Sequence, residues 1–240
     1  MERAQDVPLF DWFATGWAAY RRDPYPLMGA SLLLTAFSFG STALSATTGT
    51  GHGLLLEILV SPVLYVGWCY MCLRQVRGED TWATEVFAAF SRFASAWLTY
   101  ALYFLIVLAG VLMLVVPGLY WGSKYGLCFF SLIEKRQTVS EAVAESGVIT
   151  KGNVGKIFCV LLVAGLLKLF MQPFLVGLGV SPFSATESMD MRLVLLGALP
   201  FLLTLLVVTP WMGTTLAAAY DSLRPGAPDL PNGESRAPGP

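Results

Sequence analysis

Apolar runs of about 20 residues recur along this chain, the length that a helix needs to cross the hydrocarbon core of a bilayer. Six segments meet or approach that length, near 26–46, 54–73, 95–116, 119–133, 157–180 and 193–219. None alternates apolar and polar residues as a barrel strand does, so the backbone groups must be satisfied within helices. The sequence therefore predicts an all-α, polytopic membrane protein with six transmembrane helices.

The composition agrees with a membrane class and argues against nucleic-acid binding. Hydrophobic residues make up 55% of the chain and charged residues only 13%, which is about half the charged share of a soluble domain. The net charge of -1 hides an uneven distribution, but the sequence lacks the contiguous basic patch that a nucleic acid would require. We expect the lipid bilayer as the main partner and no nucleic acid.

Basic residues outside the spans lie almost entirely in the loops on one side. That side carries Arg3, Arg21, Arg22, Arg74, Arg77, Arg92, Lys135, Arg136, Lys151, Lys156, Arg224 and Arg236. The opposite loops hold Arg192 alone. The excess of Lys and Arg in cytoplasmic loops predicts that both termini are cytoplasmic. We expect a membrane domain over 1–221, followed by a disordered, Pro- and Gly-rich cytoplasmic tail over 222–240.

Short amphipathic segments near 7–21, 81–93 and 138–150 each precede a pair of predicted spans. The first two are related by a simple shift, in which Trp12 aligns with Trp82 and Arg22 with Arg92. This internal repeat predicts three transmembrane hairpins, each preceded by a short cytoplasmic amphipathic helix. For 7–21 two interpretations stay open: a helix in the headgroup region, or a helix packed on the bundle.

The stretch 116–158 combines a turn, charges and re-entry into the membrane. The chain is expected to turn at Pro117-Gly118 and to leave the membrane after the fourth span. Thr138 and Glu141 have the spacing of a capping box, and a Gly-Asn pair that tolerates the left-handed conformation should end the helix. The predicted cytoplasmic elbow consists of Glu134, Glu141, Lys151, Gly152 and Asn153.

The predicted intramembrane polar site comprises Lys168, Gln172, Lys124 and Glu57. Lys168 lies near mid-bilayer when residues are counted from Lys156 at about 1.5 Å each. A charge at that depth marks a functional site by default, although a lysine can also extend its amine to the interface. Lys124 and Glu57 lie near the outer ends of their spans, where they could pair with each other or simply be hydrated.

The sequence contains no recognisable catalytic or metal-binding motif. Cys69, Cys72, Cys128 and Cys159 are typical of small residues in apolar helices, and a C-x-x-C pair without its structural context is weak evidence for a metal. One histidine, His52, is too few for a zinc site. The metalloprotease, P-loop and serine-hydrolase spacings are missing. We predict no metal, no cofactor and no enzymatic activity.

Several short segments stand in a specific order along residues 9–170. The chain carries G-W-A-A-Y-R-R-D-P, C-L-R-Q-V-R-G-E-D and F-A-A-F-S-R-F, followed by P-G-L-Y-W-G-S-K-Y-G, L-I-E, E-A-V-A-E-S and T-K-G-N. In this order they resemble a group of uncharacterised bacterial six-helix membrane proteins, related to the membrane domain fused to some glycerophosphodiester phosphodiesterases. The resemblance implies a six-helix fold in the bacterial cytoplasmic (inner) membrane. It implies neither catalytic residues nor phosphodiesterase activity.

These features predict a non-enzymatic membrane protein that organises the membrane or binds a protein partner or a second copy of itself. Its contacts would be Trp12, Trp82 and the face of Glu141 and Glu145. The alternative is a transporter or lipid-handling protein, in which Lys168, with Lys124 and Glu57, receives an anionic group inside the bundle.

Overall fold

A computed structural model describes residues 8–49, 51–169 and 191–224, and every regular element in these ranges is helical. The α-helices are α1 (Leu9–Arg22), α2 (Tyr25–Thr48), α3 (His52–Val76), α4 (Phe93–Met113), α5 (Val115–Tyr125), α6 (Cys128–Glu134), α7 (Val139–Ile149), α8 (Val154–Lys168), α9 (Met191–Leu203) and α10 (Thr209–Leu223). A 3₁₀ helix (Ala83–Arg92) precedes α4, and a π-helical segment (Thr204–Val208) joins α9 to α10. The predicted all-α class is confirmed.

Four helical segments of the described ranges are long and apolar enough to cross a membrane: Tyr25–Thr48, His52–Val76, Ala83–Met113 and Leu195–Leu223. Helices α7 and α8 would add a fifth if they form one span, although they meet at 104°. The predicted span at 119–133 is divided between α5 and α6. The predicted span at 157–180 continues past Leu169, outside the described residues, so the six-span count stays a prediction.

The chain turns between α4 and α5 at Leu114, which is extended with φ -173° and ψ 151°. The turn predicted at Pro117-Gly118 is therefore placed too late. Pro117 lies instead in the first turn of α5. The backbone N–H that proline lacks would have no acceptor within the helix at that position. Gly118 lets α4 and α5 approach closely, because a Cβ there would lie 2.8 Å from the backbone nitrogen of Val111.

The break between α5 and α6 is stabilised by two side chains at the end of α7 and directly after it. The carbonyl of Lys124, at the end of α5, accepts hydrogen bonds from Ser146 Oγ at 3.1 Å and Thr150 Oγ1 at 3.0 Å. Carbonyls at a helix end need such outside partners, and glycines 122 and 126 weaken helix formation here. Ser146 of α7 and Thr150, directly after it, thus supply outside partners for the end of α5.

Helix α1 packs on α10, which decides between the two interpretations left open for 7–21. Trp12 is fully buried, and its Nε1 donates to Ser222 Oγ at 2.9 Å. Thr214 Oγ1 donates to the carbonyl of Gly16 at 2.8 Å. A Cβ on Gly16 would lie 2.7 Å from Thr215 Cα, so the two helices are in backbone contact. This segment is part of the bundle.

The second predicted amphipathic segment, 81–93, forms the 3₁₀ helix and packs on α3. Val86 and Ala89 are buried, whereas Trp82 is 73% exposed. A Cβ on Gly67 of α3 would lie 1.9 Å from the carbonyl oxygen of Val86. This segment is a 3₁₀ helix, whereas the other two are α-helices, so the three segments differ in local structure. The internal repeat stays a prediction.

Two backbone carbonyls lack their usual helical donor because the residue four positions later is a proline. Aromatic side chains donate hydrogen bonds to them instead. Pro62 in α3 has no N–H for the carbonyl of Ile58, which accepts a bond from Trp97 Nε1 of α4 at 3.0 Å. Pro210 in α10 likewise has no N–H to donate to the carbonyl of Leu206, which accepts a hydrogen bond from Tyr20 Oη of α1 at 2.8 Å. An unsatisfied carbonyl is costly in lipid, so these bonds also position α1 and α4.

The boundaries of α7 and α10 test two sequence predictions. The capping box is confirmed, with the Thr138 backbone N–H donating to Glu141 Oε2 at 2.9 Å. Gly152 adopts the left-handed conformation with φ 88° just beyond that helix, as predicted. Helix α10 continues through Leu223, so residues 222 and 223 of the predicted disordered tail are helical. Residues 225–240 of that predicted tail lie outside the described ranges.

The close approach at Gly67 predicts a large penalty for a single methyl group. Gly67→Ala should lower the free energy of unfolding by about 1–3 kcal/mol, because α3 and the 3₁₀ helix must separate. The matched control is Gly165→Ala in α8, where a Cβ would meet no atom within 4 Å. Gly165→Ala should raise the free energy of unfolding by up to about 1 kcal/mol, because alanine has the better helix propensity. Unfolding in detergent checks both, and equal effects would contradict the packing argument.

The bond between Trp97 and Ile58 predicts an energetic coupling with Pro62. Trp97→Phe should cost about 0.6–1.7 kcal/mol in hydrogen bonding, in addition to any loss of packing. In a Pro62→Ala background the helix supplies its own N–H, so the same substitution should cost correspondingly less. A double-mutant cycle of unfolding free energies measures the difference. Additive effects would show that the indole bond contributes nothing.

Candidate functional site

One end of the bundle, here called the basic end, gathers the last residues of α3, α6 and α10. Glu134 lies at its centre. Arg224 Nη1 is 2.7 Å from Glu134 Oε1, and Tyr220 Oη donates to Glu134 Oε2 at 2.6 Å. Arg77 contacts Glu134 too, and its Nε lies 2.9 Å from Asp221 Oδ1. Three helix ends are therefore joined through one carboxylate.

The surroundings of Glu134 keep it ionised. Burial by itself raises the pKa of this carboxyl, but hydrogen bonds from Tyr220 and Arg77 and the charges of Arg77 and Arg224 outweigh it. The pKa is therefore lower than usual. Two guanidinium groups and one phenol hydroxyl of this protein bond its two oxygens, an arrangement typical of a structural ion cluster.

The residues of the predicted elbow do not converge on one site. Glu134 belongs to the ion cluster, and Glu141 caps the start of α7, where the Thr138 backbone hydrogen bond lowers its pKa. Lys151 is exposed, Gly152 provides the turn, and Asn153 is buried at the start of α8. Their roles in this structure are local and conformational.

Lys168, the first of the predicted intramembrane site residues, lies in the last turn of α8 with its side chain on the exposed surface. It lines neither of the two cavities described below. Its predicted neighbour Gln172 lies outside the described residues. The polar enclosure expected around Lys168 is therefore not formed by the residues whose positions are described.

Lys124 and Glu57 are both partly buried, but no ion pair joins these two described side chains. The ammonium of Lys124 lies 5.3 Å from the ring centroid of its neighbour Tyr125. Glu57 instead accepts hydrogen bonds from the hydroxyls of Ser38 at 2.9 Å, Ser41 at 2.6 Å and Ser61 at 2.7 Å. The two residues predicted as partners thus lie in separate environments.

Glu57 faces a cavity of about 410 Å³ between α2, α3, α4 and α6. The other lining side chains are mostly aromatic, with Tyr65, Tyr100, Tyr103 and Phe129 forming a cluster of rings. Phe129 lies 5.2 Å from both Tyr65 and Tyr103, measured between ring centroids. Ser38 and Ser61 line the same cavity beside the carboxylate. We call this space the Glu57 cavity.

Sequence reasoning singled out Glu57 but missed the residues around it. Ser61 and Tyr65 follow Glu57 at intervals of four, which places all three on one face of α3. That spacing was a usable signal. The contributions of Ser38, Tyr100 and Phe129 come from three other helices, so no local pattern could indicate them.

The four cysteines do not form a ligand set in the described ranges. Cys69, Cys72 and Cys128 are buried and Cys159 is exposed. Among the described residues no group of three or more His, Cys, Asp or Glu side chains could hold a metal ion.

Comparison of the chain with protein-family models, curated proteins and solved structures finds no match. The resemblance to bacterial six-helix membrane proteins therefore stays a prediction.

The lowered pKa of Glu134 predicts a loss of stability in acid. Because this pKa lies below its unfolded value, the ionised carboxylate stabilises the fold above about pH 4.3, the ordinary value for Glu. That contribution is lost as the pH falls through the folded-state pKa. Glu134→Gln should lower the unfolding free energy by at least about 1 kcal/mol at pH 7. The gap to wild type should narrow as the pH falls below about 4.3 and through the folded-state pKa; a constant gap would contradict this role.

Proposed function

We propose that this protein is a non-enzymatic integral membrane protein that binds an organic cation, such as an alkylammonium group of a solute or lipid, in the Glu57 cavity. The single observation that carries this proposal is a carboxylate that has no basic partner among the described residues and lies beside a cluster of four aromatic rings. The proposal keeps the predicted lack of enzymatic activity and the lipid-handling alternative. It moves the binding residue from Lys168 to Glu57 and reverses the charge expected of the ligand.

The hydrogen bonds of Glu57 suit an ionised carboxylate that still has room for a ligand. Three serine hydroxyls donate to it, and an ionised carboxylate can accept about four such bonds. Hydroxyls carry no charge to neutralise it. Within the described residues no Lys, Arg or His pairs with Glu57, so its negative charge is balanced best by a cation entering from outside.

The aromatic lining favours an organic cation over a bare metal ion. Cations with an apolar shell, such as quaternary ammonium groups, bind against the electron-rich faces of Tyr, Phe and Trp rings. The volume of about 410 Å³ falls in the range of small-molecule sites, about 300–1,000 Å³. A desolvated metal ion would leave most of that volume empty.

The finer topology belongs to the same proposal. Six spans arranged as three hairpins, with both termini in the cytoplasm of a bacterial inner membrane, would place the basic end at the cytoplasmic surface. This arrangement is supported by the gathering of Arg22, Arg77, Arg92 and Arg224 near one end of the bundle. The Glu57 cavity would then open closer to the outer leaflet.

Protein partnership is a weaker second candidate. Of its predicted contacts, Trp12 is buried against α10, and Glu145 is bonded to Lys135 and Gln137. Glu141 serves the cap of α7. Trp82, Phe87 and Phe90 are exposed, and exposed aromatics at the end of a span are typical of anchoring in the lipid interface. The bilayer itself is the simplest partner for that surface.

Binding of tetramethylammonium or choline to the purified full-length chain tests the proposal. Either cation should raise the unfolding temperature in neutral detergent, and Na⁺ at the same ionic strength should not. Glu57→Gln keeps an acceptor for the serines but removes the charge. It should therefore raise the half-maximal ligand concentration about tenfold or more, as expected for the loss of one close charge contact.

Matched controls separate the cavity from general charge and aromatic effects. Asp80→Asn removes an exposed loop carboxylate, and Tyr120→Leu removes an exposed ring of α5; both should bind the ligand as wild type does. Tyr100→Leu, inside the cavity, should weaken binding. If Lys168→Met reduced binding as much as Glu57→Gln, or if neither cation shifted the unfolding temperature, the proposal would be wrong.

A further inference from the structure

A second cavity, of about 870 Å³, opens at the basic end between α3, the 3₁₀ helix and the end of α6. Its charged lining is unlike that of the Glu57 cavity. Four arginines face it, with only two carboxylates among the lining residues: Arg74, Arg77, Arg92, Arg136, Glu79 and Glu134. We call this space the arginine groove.

Two of the four arginines are held by acidic partners. Arg77 is fixed by Glu134 and Asp221, as described for the ion cluster. Arg74 lies 2.7 Å from Glu79 and 2.6 Å from Glu85. These pairs neutralise much of each guanidinium charge, so Arg74 and Arg77 mainly shape the wall of the groove.

Arg92 is held in place without being neutralised. Its Nη1 donates to the carbonyl of Leu132 at 3.1 Å, and its Nη2 to the carbonyl of Gln137 at 3.0 Å. A guanidinium has five N–H donors in a planar fork, so donors remain for another acceptor. Because both partners are uncharged, the full positive charge stays at the groove.

Arg136 is exposed and has no ion-pair partner within the described ranges. Its backbone φ is 50°, and no other non-glycine residue of the described chain has a positive φ. That conformation is uncommon for a residue with a side chain, and such residues cluster at binding sites. The loop between α6 and α7 thus holds a second uncompensated guanidinium at the same groove.

We infer that the arginine groove binds a phosphate group through Arg92 and Arg136. Planar guanidinium forks match the oxygens of a phosphate, and two uncompensated charges supply the attraction. The groove lies where the apolar part of α3 ends, at the level expected for lipid headgroups, and anionic headgroups attract basic residues next to membrane spans. The same chemistry would also accept a soluble phosphate. This site is independent of the Glu57 cavity.

The test compares inorganic phosphate with a short-chain phosphatidylglycerol as ligands of the full-length chain in neutral detergent. At least one of them should raise the unfolding temperature of the wild type, and a diacylglycerol of equal chain length, which has neither a phosphate nor a choline group, should not. A shift with phosphatidylglycerol alone would identify a lipid headgroup as the ligand. A shift with inorganic phosphate would identify the phosphate group itself as sufficient.

Arg136→Gly separates binding from folding. Glycine adopts a positive φ without steric cost, so the unfolding temperature without ligand should be unchanged or higher. The half-maximal concentration of the ligand should nevertheless rise about tenfold, as expected for one lost charge-assisted contact. Arg136→Lys keeps the charge but lacks the planar fork, so its half-maximal ligand concentration should lie between those of the wild type and Arg136→Gly.

Lys151→Gln is the matched control, because it removes an exposed cation from a different loop. It should bind either ligand as the wild type does. An equal loss of binding in Lys151→Gln and Arg136→Gly would reduce the effect to general charge attraction and overturn the site. Failure of both phosphate ligands to stabilise the wild type would overturn it as well.

Discussion

Backbone carbonyls without helical partners are the constraint on which this structure depends. Lipid offers no water to bond them, and the chain interrupts its helices repeatedly with prolines, glycines and short breaks. At several of these interruptions, a side chain from another part of the chain supplies the donor: Trp97 to Ile58, Tyr20 to Leu206, Ser146 and Thr150 to Lys124, Arg92 to Leu132. Satisfying the backbone therefore also selects which helices pack together.

Close contact between helices also follows from the absence of water in the bilayer. Without water there is no hydrophobic force between apolar helices in a bilayer, so van der Waals packing and hydrogen bonds hold the bundle. Gly16 and Gly67 allow the backbones of α1 and α3 to touch their neighbours. Larger residues at these positions would separate the helices and break the bonds beside them. Small residues and interhelical donors thus act together.

Charge is divided between two cavities of opposite character. The Glu57 cavity presents one carboxylate among serines and aromatic rings, whereas the arginine groove presents four guanidiniums and two carboxylates. The ion cluster around Glu134 adjoins the groove and joins three helix ends. A cation and a phosphate would each find a complementary site at a different depth of the bundle.

The sequence by itself determined the helical membrane class, most of the long apolar helices and the cap of α7, because hydropathy and capping depend on residues close together in the chain. It also singled out Glu57, and Ser61 and Tyr65 share its helical face. Only the tertiary structure decided that α1 packs on α10, that the predicted fourth span is broken, and that Glu57 faces tyrosines rather than Lys124. Those outcomes depend on side chains from helices far apart in sequence, whose meeting no local pattern specifies.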